Sequence, residues 1–194
     1  MTDSNPLFVS RQPSIHPKKF ALWLFIVSII MVFAAWTSAY IVRRAEGNWL
    51  EFELPDEMLY SSIIIFLSSF SIHWAYISAK KDNFFHIKFG LLLTLFLGIV
   101  FIYLQLKGFG KLIENNVWFG GKKSNPAGSF VYVLAGAHAL HLVGGIFFLL
   151  ITLYHAIKLH IHSKNMLLLD MCTTFWHFLD VLWIYLYVFL MLYR

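Results

Sequence analysis

FALWLFIVSIIMVFAAWTSAYIV, residues 20–42, is a run of 23 positions without a charge, held between Lys18-Lys19 and Arg43-Arg44. A helix needs about 20 apolar residues to cross ~30 Å of hydrocarbon. The run is long enough, and its basic flanks can meet lipid phosphates on either side. Four further segments pass the same test: 58–79, 85–106, 128–157 and 171–193. Within lipid every backbone N–H and C=O must find a partner inside its own segment, so these are helices rather than strands. The expected fold is all-α, a polytopic membrane helical bundle with five transmembrane helices. Residues 1–19 are expected as a polar N-terminal tail, and 20–194 as the five-helix domain.

Composition leads to the same place. Apolar residues make up 59% of the 194 positions and charged residues 13%. Soluble domains sit nearer half apolar and a quarter charged, and a chain this size could not bury such an excess in water. The net charge of +5 does not point to nucleic acid, because the basic residues fall mainly between the apolar runs. Cys172 is the single cysteine, which excludes an internal disulfide and a cysteine-only metal site. No small-residue cleavage site follows the first apolar run, so it reads as a retained span rather than a signal peptide. About eight Lys and Arg fall on the side of the N-terminus and about seven on the other, so the positive-inside rule does not fix orientation.

Ionisable residues inside the spans are costly and mark places that face protein or water. Here they are His73, His138, His141, His177 and Asp180. His138 and His141 are three apart on one helix face, as are His177 and Asp180. Gly136, Ala139, Gly144 and Gly145 flank the first pair and would let another helix come close. The expectation is a structural polar network between helices 4 and 5 built from His138, His141, His177 and Asp180. Two other uses of these groups stay open. His73 and His141 are conceivable axial ligands for a b-type haem, and Asp180 is the only carboxylate placed for a proton relay. His155, His160 and His162 cluster beyond helix 4, where a solvated face is the plainer reading than a metal site. No nucleophile–base pair, paired carboxylates or glycine-rich phosphate loop is evident, so no catalytic, cofactor or metal residue is assigned. Arg43, Arg44 and Trp49, at a helix end, are candidate lipid head-group contacts.

Gly136-Ala137-His138-Ala139-Leu140-His141, followed by Trp176-His177-Phe178-Leu179-Asp180-Val181-Leu182-Trp183, resembles the last two helices of the cytochrome c oxidase subunit III family. Leu24 to Ser28 in helix 1, Ser68-Ser69 in helix 2 and Leu97-Gly98 through Phe101 to Gln105 in helix 3 also fit, so the resemblance covers roughly residues 18–194. Asp170 sits where the family usually has a glutamate. Five spans match the short bacterial form. Two carboxylates usual in the family are missing: Ile29 follows the helix 1 serine, and Gly108 lies three residues after the helix 3 glutamine.

The resemblance implies an accessory, non-redox subunit of a respiratory haem–copper terminal oxidase, with no cofactor in this chain and haem and copper in partner subunits. It implies packing on the catalytic haem–copper subunit I beside subunit II and other respiratory subunits. It also implies bound phospholipid, and a multi-pass place in the bacterial cytoplasmic membrane with the N-terminus cytoplasmic and the C-terminus periplasmic. The loss of a carboxylate at Ile29 speaks against a proton-handling role. The competing readings are a b-type membrane cytochrome that carries electrons itself and a subunit III-like accessory protein of a nitric oxide reductase.

Overall fold

The structure is a computed structural model that describes residues 16–47, 49–121 and 125–193. Five helices follow in order: α1 Pro17–Ala45, α2 Asp56–Lys80, α3 Phe84–Glu114, α4 Pro126–Ile157 and α5 Leu167–Tyr193. All five are long and apolar enough to cross a membrane, so the five-span expectation holds. The expected polar tail differs in part. Residues 1–15 lie outside the described residues, but α1 begins at Pro17, so the last three residues of the tail are helical. Proline suits the first turn of a helix, where its missing N–H has no partner to lose.

The ends of the helices carry local signals. Asn83 and Asn125 cap α3 and α4, their side chains accepting from His86 N–H and Ala127 N–H. Arg43 and Arg44 close the last turn of α1, and Asp56 and Glu57 open α2, each the sign that complements the helix dipole. The largest departure is α3, expected to stop at 106 but helical to Glu114. Its last turns carry Lys107 and Lys111, and Lys111 Nζ reaches Glu57 of α2 at 2.5 Å. Hydropathy marks where lipid ends, whereas the helix runs on as long as its backbone bonds and side chains are satisfied. At 31 and 32 residues, α3 and α4 extend about 46–48 Å, so they tilt or project beyond the hydrocarbon.

Helix α2 packs on α3, α3 on α4, α4 on α5, and α5 back on α2. These four helices close a ring, and α1 lies outside it against α4 and α5. Half of α5's most apolar window is buried but only 22% of that of α1, which makes α5 the central element and α1 the peripheral one. The ends of the helices are tied in two sets, as alternating antiparallel spans require. On one side Asp82 accepts from Ser163 N–H and O–H at 2.6 and 2.8 Å, and Lys19 pairs with Asp170 at 2.7 Å. On the other, Leu50 N–H donates to Asn125 and Tyr40 O–H to the Tyr193 carbonyl. Close approach of α2 and α3 requires Gly90: a Cβ there would lie 2.9 Å from the Ala75 Cβ and 3.1 Å from the Ser71 carbonyl oxygen.

Candidate functional site

Helix α2 carries Ser61, Ser62, Ser68 and Ser69, two adjacent pairs seven residues apart. Helix α5 carries Trp176 and Trp183 at the same separation. Seven residues are close to two helical turns, so each set forms a stripe. The helices run antiparallel and the stripes meet. Trp183 Nε1 donates to Ser62 Oγ at 2.9 Å, and Trp176 Nε1 to Ser68 Oγ at 3.0 Å. Ser69 Oγ lies 2.5 Å from His177 Nδ1. On the other flank of α2, Gln105 of α3 donates to Ser61 Oγ at 2.7 Å and Ser71 donates to the Gly90 carbonyl at 2.9 Å. Ser61, Ser62 and Ser68 also donate back to carbonyls of their own helix, which leaves each oxygen free to accept from the neighbour.

This seam differs from the expected one. Of the four residues expected between helices 4 and 5, His177 is held by α2. His141 Nδ1 contacts the Ala137 carbonyl of its own helix at 2.7 Å, and its ring meets Phe33 of α1 edge-on. His138 is wholly buried, packed among Phe101 and Trp183 at centroid distances of 5.9 and 5.1 Å. Among the described residues, neither of its nitrogens has a hydrogen-bond partner. Asp180 is 2% exposed with both oxygens unpartnered; Ser69 faces it, but not at hydrogen-bond geometry. The four side chains therefore share the α4–α5 region without bonding to one another. Spacing within one helix shows which side chains share a face, not which neighbour that face meets.

The small residues divide as well. Gly145 of α4 accommodates Leu179 of α5, since a Cβ there would lie 2.9 Å from Leu179 Cδ1. A Cβ at Gly136 or Gly144 would meet nothing within 4 Å, so neither glycine is required by a close helix approach among the described residues. Gly98 of α3 takes the edge of the Trp176 indole, 3.0 Å from where a Cβ would stand.

Arg43 pairs with Glu46 at 3.0 Å, the arginine part-exposed and the glutamate exposed. Trp49 turns inward against Tyr40 and Phe130, its Nε1 buried, so its ring anchors the loop rather than reaching outward. The described residues hold no group of three His, Cys, Asp or Glu arranged for a metal ion. His73 and His141 do not face each other: His73 stands beside His177 and His141 beside Phe33. At Gly108, whose carboxylate is missing by comparison with the family pattern, the nearest side chains are Glu57 and Met58 of α2, both at 3.7 Å from a would-be Cβ. A carboxylate is present at that level, supplied by the neighbouring helix. Ile29 is simply buried and apolar.

A five-span helical membrane protein whose intramembrane polar groups bond helix to helix is the class that this fold and seam define. The family described as cytochrome c oxidase subunit III matches residues 48–194, from the loop before α2 through the last helix. Subunit 3 of the cytochrome bo(3) ubiquinol oxidase of Buchnera aphidicola subsp. Schizaphis graminum is 31% identical over 180 residues, covering 90% of this chain and 93% of that one. The protein of the same description from Buchnera aphidicola subsp. Baizongia pistaciae is 26% identical, covering 88% and 89%. Cytochrome c oxidase subunit 3 of Rattus norvegicus is 29% identical, covering 88% of this chain and 67% of that one. The chain belongs to the cytochrome c oxidase subunit III family. It is an accessory third subunit of a haem–copper oxidase, a multi-pass membrane protein that works within a multi-subunit complex.

Proposed function

We propose that this chain packs on the catalytic haem–copper subunit, beside subunit II, holds lipid against the complex and binds no redox centre of its own. The observation that carries this reading is the seam. The indoles of Trp176 and Trp183 and the imidazole of His177 are used to fasten α5 to α2. Side chains occupied in this way support a packing role over an electron-carrying one. Lipid holding is supported by the crevice between α1 and the ring. At one end a recess of about 750 Å³ is lined by Val42 and Arg43 of α1, by Glu46 just beyond it, and by Ser129 and Phe130 of α4. At the other a recess of about 470 Å³ lies among Leu22, Phe25, Leu140, His141 and Gly144. A guanidinium at one end and an apolar slot at the other suit a phospholipid, with the head group at Arg43 and an acyl chain along α1.

The same proposal puts the N-terminus in the cytoplasm and the C-terminus in the periplasm. Loop 4–5 would then face the cytoplasm and loop 3–4 the periplasm. Lys164→Cys should react with an impermeant thiol reagent only in inverted vesicles, and Gly120→Cys only in intact spheroplasts; the reverse pattern refutes the orientation. Buried Cys172 keeps the background low.

The function itself is tested by gentle detergent purification through a tag on this chain, with an optical spectrum and mass spectrometry of the eluate. Recovery of a haem–copper subunit, with the haem following that subunit when the complex is split, is the expected result. Elution of this chain alone with haem still bound would overturn the reading.

A further inference from the structure

His73 and His177 stand side by side on the outside of the ring, at a depth where lipid offers them nothing. α2 runs from Asp56 to Lys80, so His73 is five residues past its middle, about 7–8 Å along the axis. α5 runs from Leu167 to Tyr193, and His177 is three residues from its middle, about 4–5 Å. Both fall inside a hydrocarbon layer that reaches about 15 Å on each side of its centre. His73 is exposed there and His177 half-buried. Their ring centroids are 5.8 Å apart, inclined at 48°. The contact with Ser69 fixes His177 through Nδ1 and leaves Nε2 to make a bond elsewhere. Among the described residues, no hydrogen bond engages His73; its ring meets only Tyr76 and His177.

The two rings border a recess of about 160 Å³ completed by Phe66, Ser69 and Phe70. That is smaller than the pockets of about 300 Å³ and more that hold cofactors and other small molecules, and suits one protein side chain. The rim is aromatic, with Phe66 and Phe70 edge to face at 5.0 Å. Acyl chains cannot bond an imidazole, and ionisable groups at this depth face protein or water.

We propose that this face of α2 and α5 docks a transmembrane helix of another subunit of the complex, one bearing a hydroxyl, amide or carboxyl group that enters the recess and bonds His73. The inference rests on the reading of the chain as one subunit of a larger complex and adds which face meets the neighbour and through which chemistry. An apolar partner helix would leave His73 and the Nε2 of His177 without a bond, and a second copy of this chain would set the same two rings against themselves.

The test uses the complete complex in its native membrane, with His73→p-benzoylphenylalanine as a photo-crosslinking site. A crosslink to a transmembrane peptide of another subunit is expected. In parallel, His73→Leu should lower recovery of that subunit by about threefold after a detergent wash, as the loss of one interhelical hydrogen bond implies, and His73→Gln should restore it. Crosslinks only to lipid or to a second copy, or full recovery with His73→Leu, overturn the docking face while leaving the subunit reading intact. Failure of the wild-type chain to recover any oxidase subunit overturns both.

Discussion

Ser68→Ala removes one oxygen from the centre of the bundle, and its effect can be worked out in advance. Ser68 and Trp176 are both wholly buried, and the indole N–H donates to the serine oxygen at 3.0 Å. Alanine leaves that N–H without an acceptor, a cost of about 1–3 kcal/mol for a buried polar group. The serine's own donation to the Ile65 carbonyl is lost too, but that carbonyl lies within a helix and keeps its backbone partner. Trp176→Phe is costly for another reason, since part of a large ring disappears from a packed core and leaves a cavity of about 2 kcal/mol. In the double variant no indole N–H remains to be stranded. The two losses should therefore fall short of additive by about that stranding cost, near its lower end of about 1 kcal/mol and at most about 1.7, the upper limit of interhelical hydrogen bonds in membranes. Cys172 is buried one turn from Trp176 on α5, so the rate at which its thiol is labelled as sodium dodecyl sulfate is titrated in reports the opening of the seam. If Ser68→Ala costs as much in the Trp176→Phe background as in the wild type, the indole–hydroxyl bond does not couple the helices and the argument from the seam fails.

Three other outcomes follow from the same geometry. Gly90→Leu should wedge α2 from α3, costing at least about 1–3 kcal/mol as overpacking does, whereas Gly136→Leu should be tolerated because nothing stands within 4 Å of a Cβ there; thermal midpoints of the purified complex compare the two. The Asp82 carboxyl is held below its usual value first by the Ser163 N–H and then by the Ser163 hydroxyl. Its folded value lies under the unfolded one, so its contribution is fully present above about pH 5 and fades as pH falls below about 4. Asp82→Asn should flatten that part of the stability–pH curve measured by circular dichroism during the same detergent titration, and an unchanged curve would refute the assignment. Lys19→Met should cost less than about 1 kcal/mol, since its 2.7 Å pair with Asp170 is part-exposed and such pairs are weak; faster proteolysis at the start of α1, with an unchanged midpoint for the ring, is the expected pattern.

Hydropathy found the five spans because lipid imposes a length and a composition that few other environments share. It misplaced the end of α3 because Lys107 and Lys111 look like loop to a hydropathy window, although Lys111 is fixed to Glu57. The polar seam was only half legible. Trp176, His177, Asp180 and Trp183 stood out as costly groups in α5, but their partner was sought in α4, where two more histidines lay. The overlooked signal was the spacing of the serines of α2 at 61, 62, 68 and 69, which repeats the separation of the two tryptophans of α5. Serine is cheap in a helix and bonds its own backbone, so four of them raise no alarm until a second helix with the same period is set beside them. The burial of Asp180 without a bond had no signature in the sequence at all.

The order of synthesis sets the placement of α5 in another light. The helix that the other members of the ring close upon is the last of the five to leave the ribosome. Until it inserts, Ser62, Ser68 and Ser69 of α2 lack the partners that α5 brings, and α2, α3 and α4 form an open arc. The arrival of Trp176, His177 and Trp183 closes the ring. A chain stalled or truncated before Leu167 would keep four hydrophobic helices in the membrane yet lack the element that unites them. Membrane quality control could therefore distinguish a finished subunit from an unfinished one by whether that arc has closed.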